Sequence, residues 1–353
     1  MNSIQTSSVK KSPPSDHWFK KFQQKQDLRG FKENPLEKER SENATRGNIR
    51  DWFSKIGSLI DMTRFKMGMV GNMDETMCNF KGRSIVFGKK DNRTAVTVDD
   101  QGREHITILQ TILNNGDTFT PMYVLPLKKV PTYLDDQIKK GRLFLAGQKS
   151  GWIDDDSFCD YIEKFGTWLH RERHGYKANE PFLMFSDSHG SRKDFDLLKF
   201  CKINHITLVT FYSHTTHILQ PLDVGVFAIF KKFFRQEKRQ LRDTEITFEG
   251  EDGTETASRR VKNILASIEA LHLSTSPRRI ESAFKYSGLS PWDVEMALRN
   301  PRIHPKEEIT INNRKRKGIQ MDGRVVTSKE FMDELEAYET LHPKSKPKKK
   351  KFV

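Results

Sequence analysis

The stretch PFLMFSDSHGSRKD, residues 181–194, carries apolar and aromatic residues straight into Asp187 and then into a polar loop. A short apolar run closed by turn-forming residues reads as a strand buried on both faces. A helix over about 192–203 and a second strand, HITLVTF from His205, follow it, so strands alternate with helices here. Upstream, MGMVGNMDETM from residue 67 reads as a short strand ending at Asp74, and RTAVTVDDQG alternates in polarity. HITILQTILNNGDTFTPMYVLP supplies two more strands around the turn NNGD, and residues 155–172 carry helical spacing. Antiparallel strands followed by strand–helix–strand units predict an α/β domain with a mixed sheet, and such sheets place ligands at the carboxyl ends of their strands.

Asp74 and Asp187 fall at such strand ends, and Asp223 sits in the turn PLDVG just before an amphipathic helix. Taken singly, each acid is as well explained as a turn former or helix cap. Converging on one sheet edge they would repel one another unless they held a divalent cation, and carboxylate oxygens suit magnesium or manganese. Two such ions, roughly 3.5–4 Å apart, activate a water or sugar hydroxyl on one side of a phosphodiester and stabilise the leaving oxygen on the other. Alternation along the strand points Glu75 away from Asp74, which leaves it out of the metal shell. His189 and His217 would orient a water or contact phosphate, or serve as hydrogen-bonded scaffold. Gln220 and Pro221 shape the turn, and Trp292 reads as packing. After Asp223, Lys231, Lys232, Arg235, Lys238, Arg239 and Arg242 share a helix with Phe227, Phe230, Phe233 and Phe234. The aromatic residues would form its buried side, leaving the basic ones for phosphate or for solvent.

With 61 Lys and Arg against 47 Asp and Glu, the 353-residue chain has a net charge of +14, which favours a polyanionic partner. Its three cysteines, Cys78, Cys159 and Cys201, are widely spaced and imply neither a disulfide framework nor a zinc site, as in a reducing compartment. No apolar run approaches the roughly 18 residues of a membrane span, and the first residues lack the apolar core of a signal peptide. A soluble protein with no membrane partner is expected. The basic runs NNRKRKG from Asn312 and PKSKPKKKKFV at the end point to nuclear import or phosphate contact.

The segment HTTHILQPLDVGVFAIFKK closely resembles the third-acid block of DDE-superfamily transposases of the pogo/Tigger branch of the mariner-related elements. NMDET is similar to that family's first-acid block, FSDSHGS to its second, and SGLSPWDVEMAL to its closing segment. Asp187 and Asp223 have 35 residues between them, a separation that suits the family.

The resemblance covers roughly residues 17–300 and implies an RNase H-like mixed sheet with flanking helices. It also implies that Asp74, Asp187 and Asp223 are a catalytic triad holding two Mg2+ or Mn2+ ions. The expected organisation is a disordered N-terminus (1–16), a partial helix-turn-helix remnant and helical linker (17–66), the catalytic domain (67–300) and a basic C-terminal tail (301–353). Only HWFKKFQQKQDLRGF resembles the tail of a second helix-turn-helix domain, so an earlier start, a decayed copy or a host gene keeping the catalytic part are all open. The implied function is a transposase-type DNA endonuclease and strand-transferase acting on double-stranded DNA in the nucleus, as a possible homodimer, with Lys231, Lys232 and Arg235 as possible phosphate contacts. The alternatives are a domesticated, non-catalytic DNA or chromatin-binding protein resembling centromere protein B, and a nuclease acting on RNA or repair intermediates.

Overall fold

The computed structural model describes residues 15–26, 42–79, 105–127, 134–172, 177, 179–188, 194–241, 255–309 and 319–342. It divides into two units, residues 1–37 and 38–353. In the first, helix α1 (Asp16–Lys25) is capped by the Ser15 hydroxyl, which accepts from the Trp18 amide. Trp18 and Phe22, one turn apart, stack with ring centroids 5.2 Å apart.

The second unit is built on six strands: β1 (Val70–Asn79), β2 (His105–Leu113), β3 (Thr118–Leu125), β4 (Phe144–Gly147), β5 (Phe182–Ser186) and β6 (Ile206–Thr210). They lie in the order β4-β3-β2-β1-β5-β6. The β1–β2 and β2–β3 pairs are antiparallel, whereas β1–β5, β5–β6 and β3–β4 are parallel. This is the mixed RNase H-like sheet with flanking helices that the resemblance implied. The NNGD turn joins β2 to β3, with Gly116 at φ +90°, a conformation that costs glycine little.

All five residues of β5 are buried, and its side chains alternate between two cores. Phe182 and Met184 meet Phe158 and Phe165 of α4 (Asp155–Thr167), Leu197 of α5 (Phe195–Ile203) and Met73 of β1. Leu183 and Phe185 face the other way, into a cluster with Trp52 of α2 (Arg46–Leu59), Leu222 and Phe284. That alternation between two covered faces is why the run in the sequence is continuously apolar. Asp154 and Asp194 cap α4 and α5, accepting from the amides of Ser157 at 2.9 Å and Leu197 at 3.1 Å.

Two stretches assigned from sequence to a linker and a tail are part of this body. In the first, α2 drives Trp52 into the core, where its indole Nε1 donates to the carbonyl of Thr210 at 3.0 Å. Its start is clasped by the far end of the chain: Thr45 bridges His304, and the Arg46 amide donates to the His304 carbonyl at 3.1 Å. Gly47 allows that approach, since a Cβ there would lie 2.1 Å from the Glu307 carbonyl oxygen. In the second, residues 321–327 run along β6: the Thr210 amide donates to the Arg324 carbonyl at 3.0 Å and Val326 to Leu208 at 2.9 Å. Helix α11 (Lys329–Leu341) then lays Phe331, Met332 and Leu335 against the α4/α5 core. The helices between these stretches are, in chain order, α3 (Asp135–Lys139), α6 (Thr216–Leu219), α7 (Phe227–Gln240), α8 (Glu255–Ser274), α9 (Pro277–Tyr286) and α10 (Val294–Ala297).

The alternating segment RTAVTVDDQG, His189, Arg242, the run at 312–318 and the terminal lysines lie outside the described residues. No described helix is long and apolar enough to cross a membrane.

Candidate active site

Sheet register brings two of the three predicted acids together. Strand β1 continues to Asn79 instead of stopping at Asp74, because β2 stays paired to it throughout. What stops is its other partnership: the parallel ladder with β5 ends at Asn72 opposite Phe185. Two residues further along each chain stand Asp74, buried and opposite Gln110 of β2, and Asp187, just past the end of β5. The backbone at Asp187 is held by its neighbour, since the Ser186 hydroxyl donates to the Asp187 carbonyl at 3.0 Å and the Ser186 carbonyl accepts from the Phe211 amide at 3.2 Å.

Glu75 joins them. Ligand oxygens of Asp74, Glu75 and Asp187 all lie within 4.8 Å of one another. Alternation sends the Cβ of Glu75 to the face opposite Asp74, yet its carboxylate lies beside those of Asp74 and Asp187, past the point where the ladder with β5 has ended. Three carboxylates so close repel strongly in a partly buried setting unless a cation offsets them. Their all-oxygen donor set fits the hard ions Mg2+ and Mn2+.

Asp223 is carried by a different kind of element. It lies inside a π-helical turn, Leu222–Val226, that runs directly into α7, and the cap positions are Pro221 and Val226. Asp223 itself therefore occupies neither cap position. Among the described residues it is not part of the cluster with Asp74, Glu75 and Asp187. The motif residues around it have structural reasons. Gly225 lets α9 pack directly on the turn, because a Cβ there would come within 2.6 Å of the Ala283 methyl. Leu222 and Gln220 are buried beneath it. The Leu222 amide donates at 3.0 Å to the side-chain oxygen of Asn72, a buried residue on the same face of β1 as Asp74.

Helix α7 leads away from this turn. Phe227, Phe230 and Phe234 are buried, Phe233 is half-buried, and Lys231, Lys232 and Arg235 are exposed. Lys238 on the same helix is half-buried, and burial, reinforced by Arg259, lowers its pKa. Beneath it, burial pushes the Cys78 thiol up to about 12. His217 is buried. Trp292 packs against Phe53, with ring centroids 4.5 Å apart, and stacks on Phe185 at 6.2 Å, so its role is packing.

A family model described as DDE superfamily endonuclease matches residues 103–284, just over half of the chain. The chain belongs to the DDE superfamily endonucleases. The matched stretch takes in Asp187 and Asp223 and begins after Asp74. This DDE endonuclease is also 24% identical over 274 residues to a curated protein of Cochliobolus lunatus named MFS-type transporter clz9. That alignment takes in 71% of this chain but 28% of the relative, so the chain spans little more than a quarter of that protein's length. Among solved structures it is similar to the Mos1 mariner paired end complex with Mg, at 10% identity and TM-score 0.40 over 82% of this chain and 83% of that one. The isolated Mos1 catalytic domain gives 10% identity and TM-score 0.34, covering 73% and 98%. These likenesses are loose, and the fold rests on the strand order itself.

Two residues of interest gave little signal in the sequence. Alternation along β1 points Glu75 away from Asp74, whereas its carboxylate lies within 4.8 Å of those of Asp74 and Asp187. Asn72 was a polar interruption in an apolar run, two residues before an acid, and that i, i+2 relation was the available clue.

Proposed function

We propose that this DDE endonuclease cuts double-stranded DNA and joins the freed 3′ end to a target, with Asp74, Asp187 and Asp223 as its catalytic acids. The observation that carries the proposal is the convergence of Asp74, Glu75 and Asp187 where the β1–β5 ladder ends. Asp74 and Asp187 would hold Mg2+ or Mn2+, Glu75 would add a further oxygen, and Asp223 would complete the site from the π-helical turn. Two such ions, when bound, supply Lewis acidity that favours attack by water or a 3′-hydroxyl and stabilises the leaving oxygen. The protein's own part is to aim the carboxylates from the rigid body of β1 and from the end of β5. Exposed Lys231, Lys232 and Arg235 lie on the helix that follows Asp223, where they would hold the duplex by its phosphates. Action in the nucleus and pairing of two copies on DNA complete the proposal, the first supported by the basic runs 312–318 and 344–351.

Nicking of supercoiled plasmid with Mg2+, Mn2+ or EDTA, beside Asp187→Ala and Asp223→Asn, tests it. Metal-dependent nicking lost in both variants is expected. Duplex binding without cleavage under either metal would replace this function with that of a non-catalytic DNA-binding protein.

A further inference from the structure

Asn72 is fully buried and makes three hydrogen bonds through its side-chain amide. Its Nδ2 donates to the carbonyl of Phe185 at 3.0 Å and, at a longer 3.5 Å, to that of Met73. Its Oδ1 accepts from the amide of Leu222 at 3.0 Å. The amide orientation is fixed by its partners, because exchanging N and O would set donor against donor and acceptor against acceptor. Each contact lies next to one of the acids. Asn72 precedes Asp74 by two residues on the same strand face, Phe185 precedes Asp187 by two, and Leu222 immediately precedes Asp223.

We propose that Asn72 is a positioning residue that ties the turn carrying Asp223 to the strand pair carrying Asp74 and Asp187. The proposal rests on the nuclease function proposed above. A single carboxamide spans β1, β5 and the turn, with a donor for one side and an acceptor for the other. Serine is too short to reach both partners, and leucine of similar size offers neither bond. Either substitution leaves the buried Leu222 amide without its acceptor, and the turn relieves that by shifting. A shift of the turn moves Asp223 away from the strand ends, while β1–β5 pairing keeps Asp74 and Asp187 where they are. Groups that orient metal-binding side chains typically cost 10–100-fold in metal affinity when removed.

The test is Mn2+ binding to the full chain by calorimetry for wild type, Asn72→Ser, Asn72→Leu, Asp223→Asn and Asn72→Ser/Asp223→Asn. Circular dichroism reports folding, and duplex affinity is measured in low salt without metal. Expected are about 10–100-fold weaker Mn2+ binding in the folded Asn72 variants, unchanged duplex affinity, and nicking restored by raising Mn2+. The double variant should bind Mn2+ no more weakly than Asp223→Asn alone, because Asn72 acts through Asp223. If Asn72→Leu does not fold, Asn72→Ser carries the same comparison. A folded Asn72→Ser with wild-type Mn2+ affinity overturns the proposal, as do losses that add in the double variant. Wild-type protein that binds no Mn2+ overturns the nuclease function itself, and this inference with it.

Discussion

Asp187 and Asp223 are held in opposite ways. Asp187 follows a strand whose five residues are buried, all paired to β6 and Leu183–Phe185 also to β1, so its position is set by sheet register. Asp223 sits in an irregular helical turn held by the Asn72 bond to Leu222, by α9 packing on Gly225 and by the buried Leu222 side chain. Sheet register is cooperative and hard to perturb with one substitution, whereas a turn fixed by a few contacts responds to each. An acid held in the second way is the adjustable part of such a site.

The contrast can be broken at its strongest point first. Asp187→Ala should lower metal-dependent nicking by about a thousandfold or more, since metal-borne charge stabilisation supplies several kcal/mol. Its melting temperature should stay close to wild type, and a large drop would mean that the carboxylate serves the fold. Next comes the support behind β5. Trp52 packs on Phe185 with ring centroids 6.0 Å apart, and Trp52→Ala should cost about 3–5 kcal/mol of stability by denaturant titration. A cost below about 1 kcal/mol would show that α2 is not part of the body that holds Asp187.

The turn should be softer. Gly225→Ala forces a methyl against Ala283, for which about 1–3 kcal/mol is the usual cost. If the turn yields as argued, the stability loss will sit at the low end while Mn2+ affinity falls. Stability loss at the high end with unchanged metal affinity would show the turn to be as rigid as the strand. The smallest effect is expected on the basic helix: replacing Lys231, Lys232 and Arg235 by alanine should flatten the salt dependence of duplex binding by about 3 in log–log slope. An unchanged slope would move the DNA surface elsewhere.

Much of this frame could be read before any coordinates. β5, β6 and the β2–β3 hairpin announce themselves as apolar runs closed by turn residues, and α4 and α5 by their spacing. All of that information is local. What could not be read was non-local: Thr45 with His304, Val209 with Val325, and Phe331 in the α4/α5 core join residues far apart in the chain. Neither α2 nor residues 319–342 has a periodicity that names its partner, so one looked like a linker and the other like a tail. Glu75 is a related case, since alternation gives the direction in which its Cβ leaves the strand and not that its carboxylate lies within 4.8 Å of those of Asp74 and Asp187. Short β4, four half-exposed residues, carries too little pattern to register at all.

The lodging of Phe331 and its neighbours in the core has a consequence in time. All the proposed catalytic acids have been synthesised by residue 223, yet the surface that α11 covers waits for residue 331, more than 100 residues later. At about 5–20 residues per second that is roughly 5–20 s in which the apolar face of α4 and α5 meets water on the ribosome. The chain thus carries all its proposed catalytic acids well before it can close around them, and its yield in a cell should depend on what shelters that face in the interval.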